Sequence, residues 1–290
     1  MTSLYTKKDG IASFAFAVAV YMVAQLVLGM ALLSAPASSF AYNVIYAILP
    51  LSIFAIAWWY AKLTKKDFVQ ATTANVKPRL AHTLWGCLAT FGLIHLMLPI
   101  NELFLDWFES MGLDRPTTNL DDLNPVMLVI MTVVLAPIGE EFLFRGTVGR
   151  GLANEKPILG ILLSGGLFAL FHLNPAQTLH QFVLGSFLML LAYRSGSVWT
   201  SVLTHAFNNF VVIFFTFVYD PTEFYLEHLA LVGIVGGIIF CGGVVGFLLT
   251  TKCYAKQNEH KQNPSATNWI WFAVAVAICV MLWFATLFAE

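Results

Sequence analysis

Nine stretches of this chain are apolar for roughly the length a helix needs to cross a bilayer, and that constrains the fold more than any other feature. They run 11–34, 40–61, 82–104, 125–150, 157–174, 178–194, 197–218, 229–250 and 267–288. A helix rises 1.5 Å per residue, so a hydrocarbon core about 30 Å thick calls for about 20 apolar residues. The composition agrees: 59% of the 290 residues are hydrophobic and 11% charged, where a soluble domain is about a quarter charged. The pattern predicts an all-α protein, a polytopic transmembrane bundle of eight or nine spans enclosing a buried polar cavity.

Other classes fall away on the same grounds. A net charge of −1 provides no polyanion-binding surface, so nucleic acid is not an expected partner. Cys87, Cys241 and Cys279 lie inside apolar runs and Cys253 sits beside Lys252, which argues against a disulfide framework. The first run follows Lys7 and Lys8 and ends near Ser34-Ala35-Pro36-Ala37. It is longer than a signal-peptide core of about 7–15 residues and is read as an uncleaved span. Gly233 with Gly237, and Gly242 with Gly246, form two small-xxx-small pairs suited to close helix packing. Trp58, Trp59, Trp199 and Trp269 read as interfacial anchors.

Charge sets the orientation. With the N-terminus in the cytoplasm, strict alternation puts fourteen of the fifteen basic residues on the cytoplasmic side: Lys7, Lys8, Lys62, Lys65, Lys66, Lys77, Arg79, Arg145, Arg150, Lys156, Arg194, Lys252, Lys256 and Lys261. Only Arg115 falls outside, among Asp106, Glu109, Asp114, Asp121, Asp122, Asp220, Glu223 and Glu227.

Ionisable groups at membrane depth are costly and mark function by default. Three clusters qualify. In Pro137-Ile138-Gly139-Glu140-Glu141-Phe142-Leu143-Phe144-Arg145, Glu141 and Arg145 are an i,i+4 pair that neutralise each other, which leaves Glu140 to find another outlet. Neighbouring helical residues point about 100° apart, so the two carboxylates are expected to face different cavities. Pro137 should free the carbonyl of Val133 and kink the helix just before Glu140. The second cluster places Phe168 and His172 on one face, followed by Leu173-Asn174-Pro175. The third, His205-Ala206-Phe207-Asn208-Asn209, offers His205 and Asn209 to one cavity. Each has a plain reading as well: an interfacial salt bridge, or a hydrogen-bonded structural imidazole. His180, after Pro175-Ala176-Gln177, is placed to line the cavity mouth, with a structural role the plainer reading. If the turn between the fourth and fifth runs centres on Lys156, Glu140 and His172 are each sixteen residues from it, and so level in an antiparallel hairpin.

A carboxylate and an imidazole around one water form a general-base arrangement. Glu140 could take the proton, His172 orient the water, and His205 with Asn209 hydrogen-bond the oxyanion, a contribution of roughly 3–4 kcal/mol per donor. No Gly-x-Ser-x-Gly elbow occurs. The alternative is a catalytic Zn²⁺ held by Glu140, Glu141, His172 and His205. It lacks a His-Glu-x-x-His motif and would leave no obvious free base.

Glu-Glu-x-x-x-Arg, Phe-x-x-x-His and His-x-x-x-Asn, in this order over about 125–215, resemble the CAAX protease and bacteriocin-processing (Abi) family, which includes the eukaryotic Ras-converting CAAX endopeptidase. The resemblance implies an intramembrane peptidase that cleaves near a membrane-anchored, in eukaryotes prenylated, C-terminus from a cavity open to the cytosol. On that pattern Glu140 activates water, His172 assists, and His205 and Asn209 hold the oxyanion, with Glu141, Arg145 and Phe168 in support. Members are commonly labelled metalloproteases, yet the mechanism usually proposed is glutamate-activated water without a required cofactor. The short loops look bacterial, which points to the plasma membrane, where relatives are associated with bacteriocin immunity and peptide maturation. The chain then divides into N-terminal helices (1–124), a catalytic core (125–218) and C-terminal helices (219–290). A non-proteolytic membrane scaffold or immunity protein on the same fold is the competing reading, and a proton-relaying transporter a third.

Overall fold

The computed structural model describes residues 4–36, 39–113, 124–251 and 262–288. Among these, all regular structure is helical, and each of the nine apolar runs forms a helix. We label them α1 (Lys7–Ser34), α2 (Phe40–Leu63), α3 (Leu80–Ser110), α4 (Pro125–Leu152), α5 (Pro157–Phe171), α6 (Thr178–Ser195), α7 (Val198–Phe217), α8 (Leu229–Thr250) and α9 (Ala266–Ala285). Seven are long and apolar enough to cross a membrane, and the protein is an integral membrane protein. The exceptions are α5 and α6. With 15 residues, α5 spans only about 22 Å, and α6 carries His180, Gln181, Tyr193 and Arg194. Residues 37, 114, 115, 121, 122, 252, 253, 256, 260 and 261, on which part of the charge and cysteine reading falls, lie outside the described residues. Cys87, Cys241 and Cys279 are free thiols.

Local chemistry places the helix ends. Thr6 and Asp9 form a capping box at the start of α1, Ser265 and Asn268 another at α9, and Asn124 caps α4 ahead of Pro125. Gly196, at φ 71, turns α6 into α7. The connections that the charge pattern groups on one side meet at one end of the bundle. Arg150 donates to Thr73, Ser197 to the Val76 carbonyl, Trp199 to the Ala74 carbonyl, and Arg194 to Thr251. There too, Lys66 lies 3.3 Å from Asp9, both largely buried. The ring of Trp199 packs on core Phe142 and its N–H is committed to backbone.

The glycine seam also differs from the pairs read in sequence. A Cβ on Gly236 would lie 2.5 Å from the Leu96 nitrogen, one on Gly243 2.6 Å from the Ala89 nitrogen, and Gly233 and Gly246 press on Pro99 and Trp85. Gly242 has nothing within 4 Å, and Gly237 meets only Leu96 Cδ1 at 3.4 Å. The close face therefore recurs at 233, 236, 243 and 246 rather than at two four-residue intervals.

The catalytically suggestive stretch lies in α4, which is not a uniform helix. Two π-helical segments, Ile130–Leu135 and Phe144–Val148, bracket a short α-helical segment, Ala136–Leu143. Gly139 lets this segment approach α2, since a Cβ there would lie 2.5 Å from the Pro50 carbonyl. π-turns inside α-helices are rare and concentrate at functional sites.

Candidate active site

Three helical pieces bring Glu140, Glu141, His172 and His205 together. Glu141 is fully buried, with Oε1 2.8 Å from Arg145 Nη1 and 2.8 Å from His205 Nδ1. Arg145, also fully buried, donates from Nη2 to the Gly185 carbonyl at 3.2 Å, and its guanidinium lies 4.1 Å from the centroid of Phe168. A charged group this deep needs such compensation, here an anion, a carbonyl and an aromatic face. The Phe168 ring also packs edge-on against His172 and His205.

Each imidazole has one nitrogen spoken for. His172 Nδ1 is 2.8 Å from the Phe168 carbonyl, which can only accept, so this nitrogen carries the proton. His205 Nδ1 likewise donates to the Glu141 carboxylate. Both rings therefore turn Nε2 toward Glu140, whose Oε2 lies 4.0 Å from His172 Nε2 and 3.9 Å from His205 Nε2. These gaps are too long for direct hydrogen bonds. Two hydrogen bonds of about 2.8 Å meeting at roughly 90° span about 4 Å, which is the separation a single bridging water would cover.

The two carboxylates diverge, as the 100° step implied, and the His205 ring lies between them and presents a different nitrogen to each. The i,i+4 pairing of Glu141 with Arg145 and the levelling of Glu140 with His172 are both as the spacing implied. The turn before Pro137 adds a second carbonyl to the one the α-register expectation named. Because the turn before Pro137 is π rather than α, with Ala136 N–H on the Met131 carbonyl, the acceptor next in register, which Pro137 cannot serve, is Thr132.

Asn209 donates from Nδ2 to that Thr132 carbonyl at 2.8 Å and accepts at Oδ1 from Asn208 Nδ2 at 3.1 Å. One of its two amide N–H groups is thereby committed. Other residues border the site too. His180 lies against the Asn208 carboxamide and within electrostatic reach of His172 and His205. Tyr21 of α1 stacks on Phe171 with centroids 4.8 Å apart and feels the charge of Glu140. Asn208, at i+3 from His205, carried a readable signal; Tyr21 was one aromatic residue among many in an apolar run.

A metal would need tighter spacing. Ligands on a tetrahedral zinc with bonds of about 2.0–2.1 Å stand about 3.3 Å apart, less than the 3.9 and 4.0 Å measured here. Glu141 faces the opposite nitrogen of His205 and is held by Arg145, so the four-ligand set does not assemble on one point. Among the described residues no three of His, Cys, Asp and Glu are grouped to hold a metal ion.

Comparison with known proteins agrees with the motif pattern. Residues 122–211, just under a third of the chain, match the family model described as type II CAAX prenyl endopeptidase Rce1-like. That segment holds all seven motif residues, Glu140, Glu141, Arg145, Phe168, His172, His205 and Asn209, and its similarity supports the CAAX protease resemblance read from the motifs. A protein of Mycoplasma capricolum subsp. capricolum, described as an uncharacterized protein, is 29% identical over 92 residues, 30% of this chain. The match spans 27% of that relative's length. No solved structure matches.

Proposed function

We propose that this protein is an intramembrane endopeptidase that cuts a peptide bond near a membrane-anchored C-terminus, using water activated by Glu140 and no metal. The observation that carries the reading is the triangle of Glu140 Oε2 with the Nε2 atoms of His172 and His205, sized for one water. In this mechanism Glu140 takes one proton from the water while His172 orients it. The hydroxide attacks the substrate carbonyl. The resulting oxyanion is held by Nε2–H of His205 in its protonated form and by the amide N–H of Asn209 that Thr132 does not use. Glu140 then returns its proton to the leaving amine.

Glu140, Glu141, His205 and Asn209 lie on helices long and apolar enough to cross a membrane, and these helices expose large apolar side chains. This favours a substrate carrying its own anchor, a lipidated or membrane-proximal tail, over a freely soluble peptide. The location we propose is a bacterial plasma membrane, with the N-terminus cytoplasmic and the site open to that side. The test is cleavage of a fluorogenic tail peptide by purified protein in lipid, wild type against Glu140→Ala and His172→Ala. Loss in both variants supports the reading; equal activity in all three overturns it.

A further inference from the structure

Proline removes one backbone donor, and the carbonyl left over by Pro137 has a replacement donor from another helix. In the π-register of Ile130–Leu135 each N–H bonds the carbonyl five residues back, as Ala136 does to Met131. The next acceptor is Thr132, and residue 137 has no N–H to give it. Asn209 Nδ2 lies 2.8 Å from that oxygen, having crossed from α7. The amide is held in this sense at its other end, where Asn208 Nδ2 donates to Asn209 Oδ1; a flipped carboxamide would set oxygen against oxygen. The Thr132 hydroxyl does not compete, because it donates to the Leu128 carbonyl.

The consequence reaches Glu140. A π-turn inserts one residue, and one residue turns the downstream helix by about 100°. Whether Gly139, Glu140 or Glu141 faces the imidazoles therefore depends on this turn keeping its register. Asn209 sits one helical turn after His205 on the same helix, so one face of α7 both supplies an imidazole and clamps the turn that aims its partner.

We propose that Asn209 is a positioning residue whose carboxamide stands in for the amide that Pro137 lacks and so locks the π-turn that directs Glu140 at His172 and His205. This is independent of whether the protein is a peptidase. A double-mutant cycle on the full-length protein in detergent tests it. Asn209→Ala is expected to lower Tm, and Asn209→Asp, the same size with no N–H to offer, to lower it at least as much. In the Pro137→Ala background, residue 137 brings its own N–H to Thr132, and the Asn209→Ala shift is expected to shrink by about half or more. Equal shifts in both backgrounds overturn the proposal. Should Pro137→Ala fail to fold, hydrogen exchange decides: Asn209→Ala is expected to raise exchange across 136–143 about tenfold while 229–250 keeps its protection. Unchanged exchange at 136–143 refutes it. In the tail-peptide assay Asn209→Ala also removes an oxyanion donor, so the clamp is read from the Pro137→Ala background, where the kcat loss on Asn209→Ala is expected to shrink; an equal loss in both backgrounds counts against the proposal.

Discussion

Glu141 accepts a hydrogen bond of 2.8 Å from Nδ1 of His205, sixty-four positions further along the chain, with both side chains buried. That bond fixes the tautomer of the imidazole and leaves Nε2 for chemistry, the division of labour that oriented histidines usually depend on. The adjacent carboxylate, Glu140, then meets the working nitrogen. Two neighbouring acids are thereby separated into an anchored one and a free one by a single ring.

Their variants should separate in the same way. Glu140 is partly accessible and makes no polar contact to either imidazole closer than 3.9 Å, so Glu140→Gln is expected to leave stability within about 0.5 kcal/mol. Peptide cleavage should fall about 10²–10⁴-fold, the usual size of a general-base contribution. Glu141→Gln leaves the Arg145 guanidinium buried without its counter-charge, which costs on the order of 3–5 kcal/mol. Thermal unfolding in detergent alongside cleavage assays checks both. Comparable destabilisation by the two variants would mean the roles are not divided.

Arg145 should not tolerate lysine. Its planar head meets the Glu141 carboxylate and the Gly185 carbonyl while lying 4.1 Å from the Phe168 centroid, a combination an ammonium cannot reproduce. Arg145→Lys is expected to destabilise, and Phe168→Leu to cost about 1–2 kcal/mol from the lost cation–π contact and packing. Because they share one contact, the double variant should deviate from additivity by about 0.5–2 kcal/mol. Strict additivity would remove Phe168 from the support of the ion pair.

Most of this core was legible in the chain, because membrane burial makes polar residues conspicuous. Glu140 and His172 were placed level by counting sixteen residues either side of Lys156, and the i,i+4 rule paired Glu141 with Arg145. What stayed hidden depends on helix register. Nothing in Ile130–Leu135 announces a π-turn, so the Thr132 carbonyl and its donor Asn209 are not legible in the sequence. The bridging position of His205 needed the relative rotation of two helices, which periodicity does not specify. For the same reason Gly237 and Gly242 looked like seam residues until α3 was seen packed one stripe over.

Chelation gives a third test. The 3.9 and 4.0 Å separations around Glu140 suit a water better than a tetrahedral ion. A strong chelator is therefore expected to leave cleavage of the tail peptide unchanged within about twofold. Elemental analysis of the purified protein should show no stoichiometric zinc. Inactivation by chelator, reversed by adding zinc, would defeat the water-only mechanism while leaving the location of the site intact.

The helix seam allows a prediction whose sign reverses between two glycines on facing helices. A methyl on Gly92 would lie 2.3 Å from the Phe240 nitrogen and 2.7 Å from the Gly236 carbonyl. These are backbone atoms that cannot swing aside, so Gly92→Ala must push α3 and α8 apart. Overpacking of this kind costs about 1–3 kcal/mol or more, and the backbone separation also weakens the van der Waals packing that holds membrane helices together. Gly242 has open space around its Cβ position. There alanine adds only helix propensity, a gain of roughly 0.5–1 kcal/mol where it carries over from water to lipid. Unfolding both variants under identical detergent conditions should give shifts of opposite sign. A Gly242→Ala loss as large as that of Gly92→Ala would mean the seam runs through 242 after all.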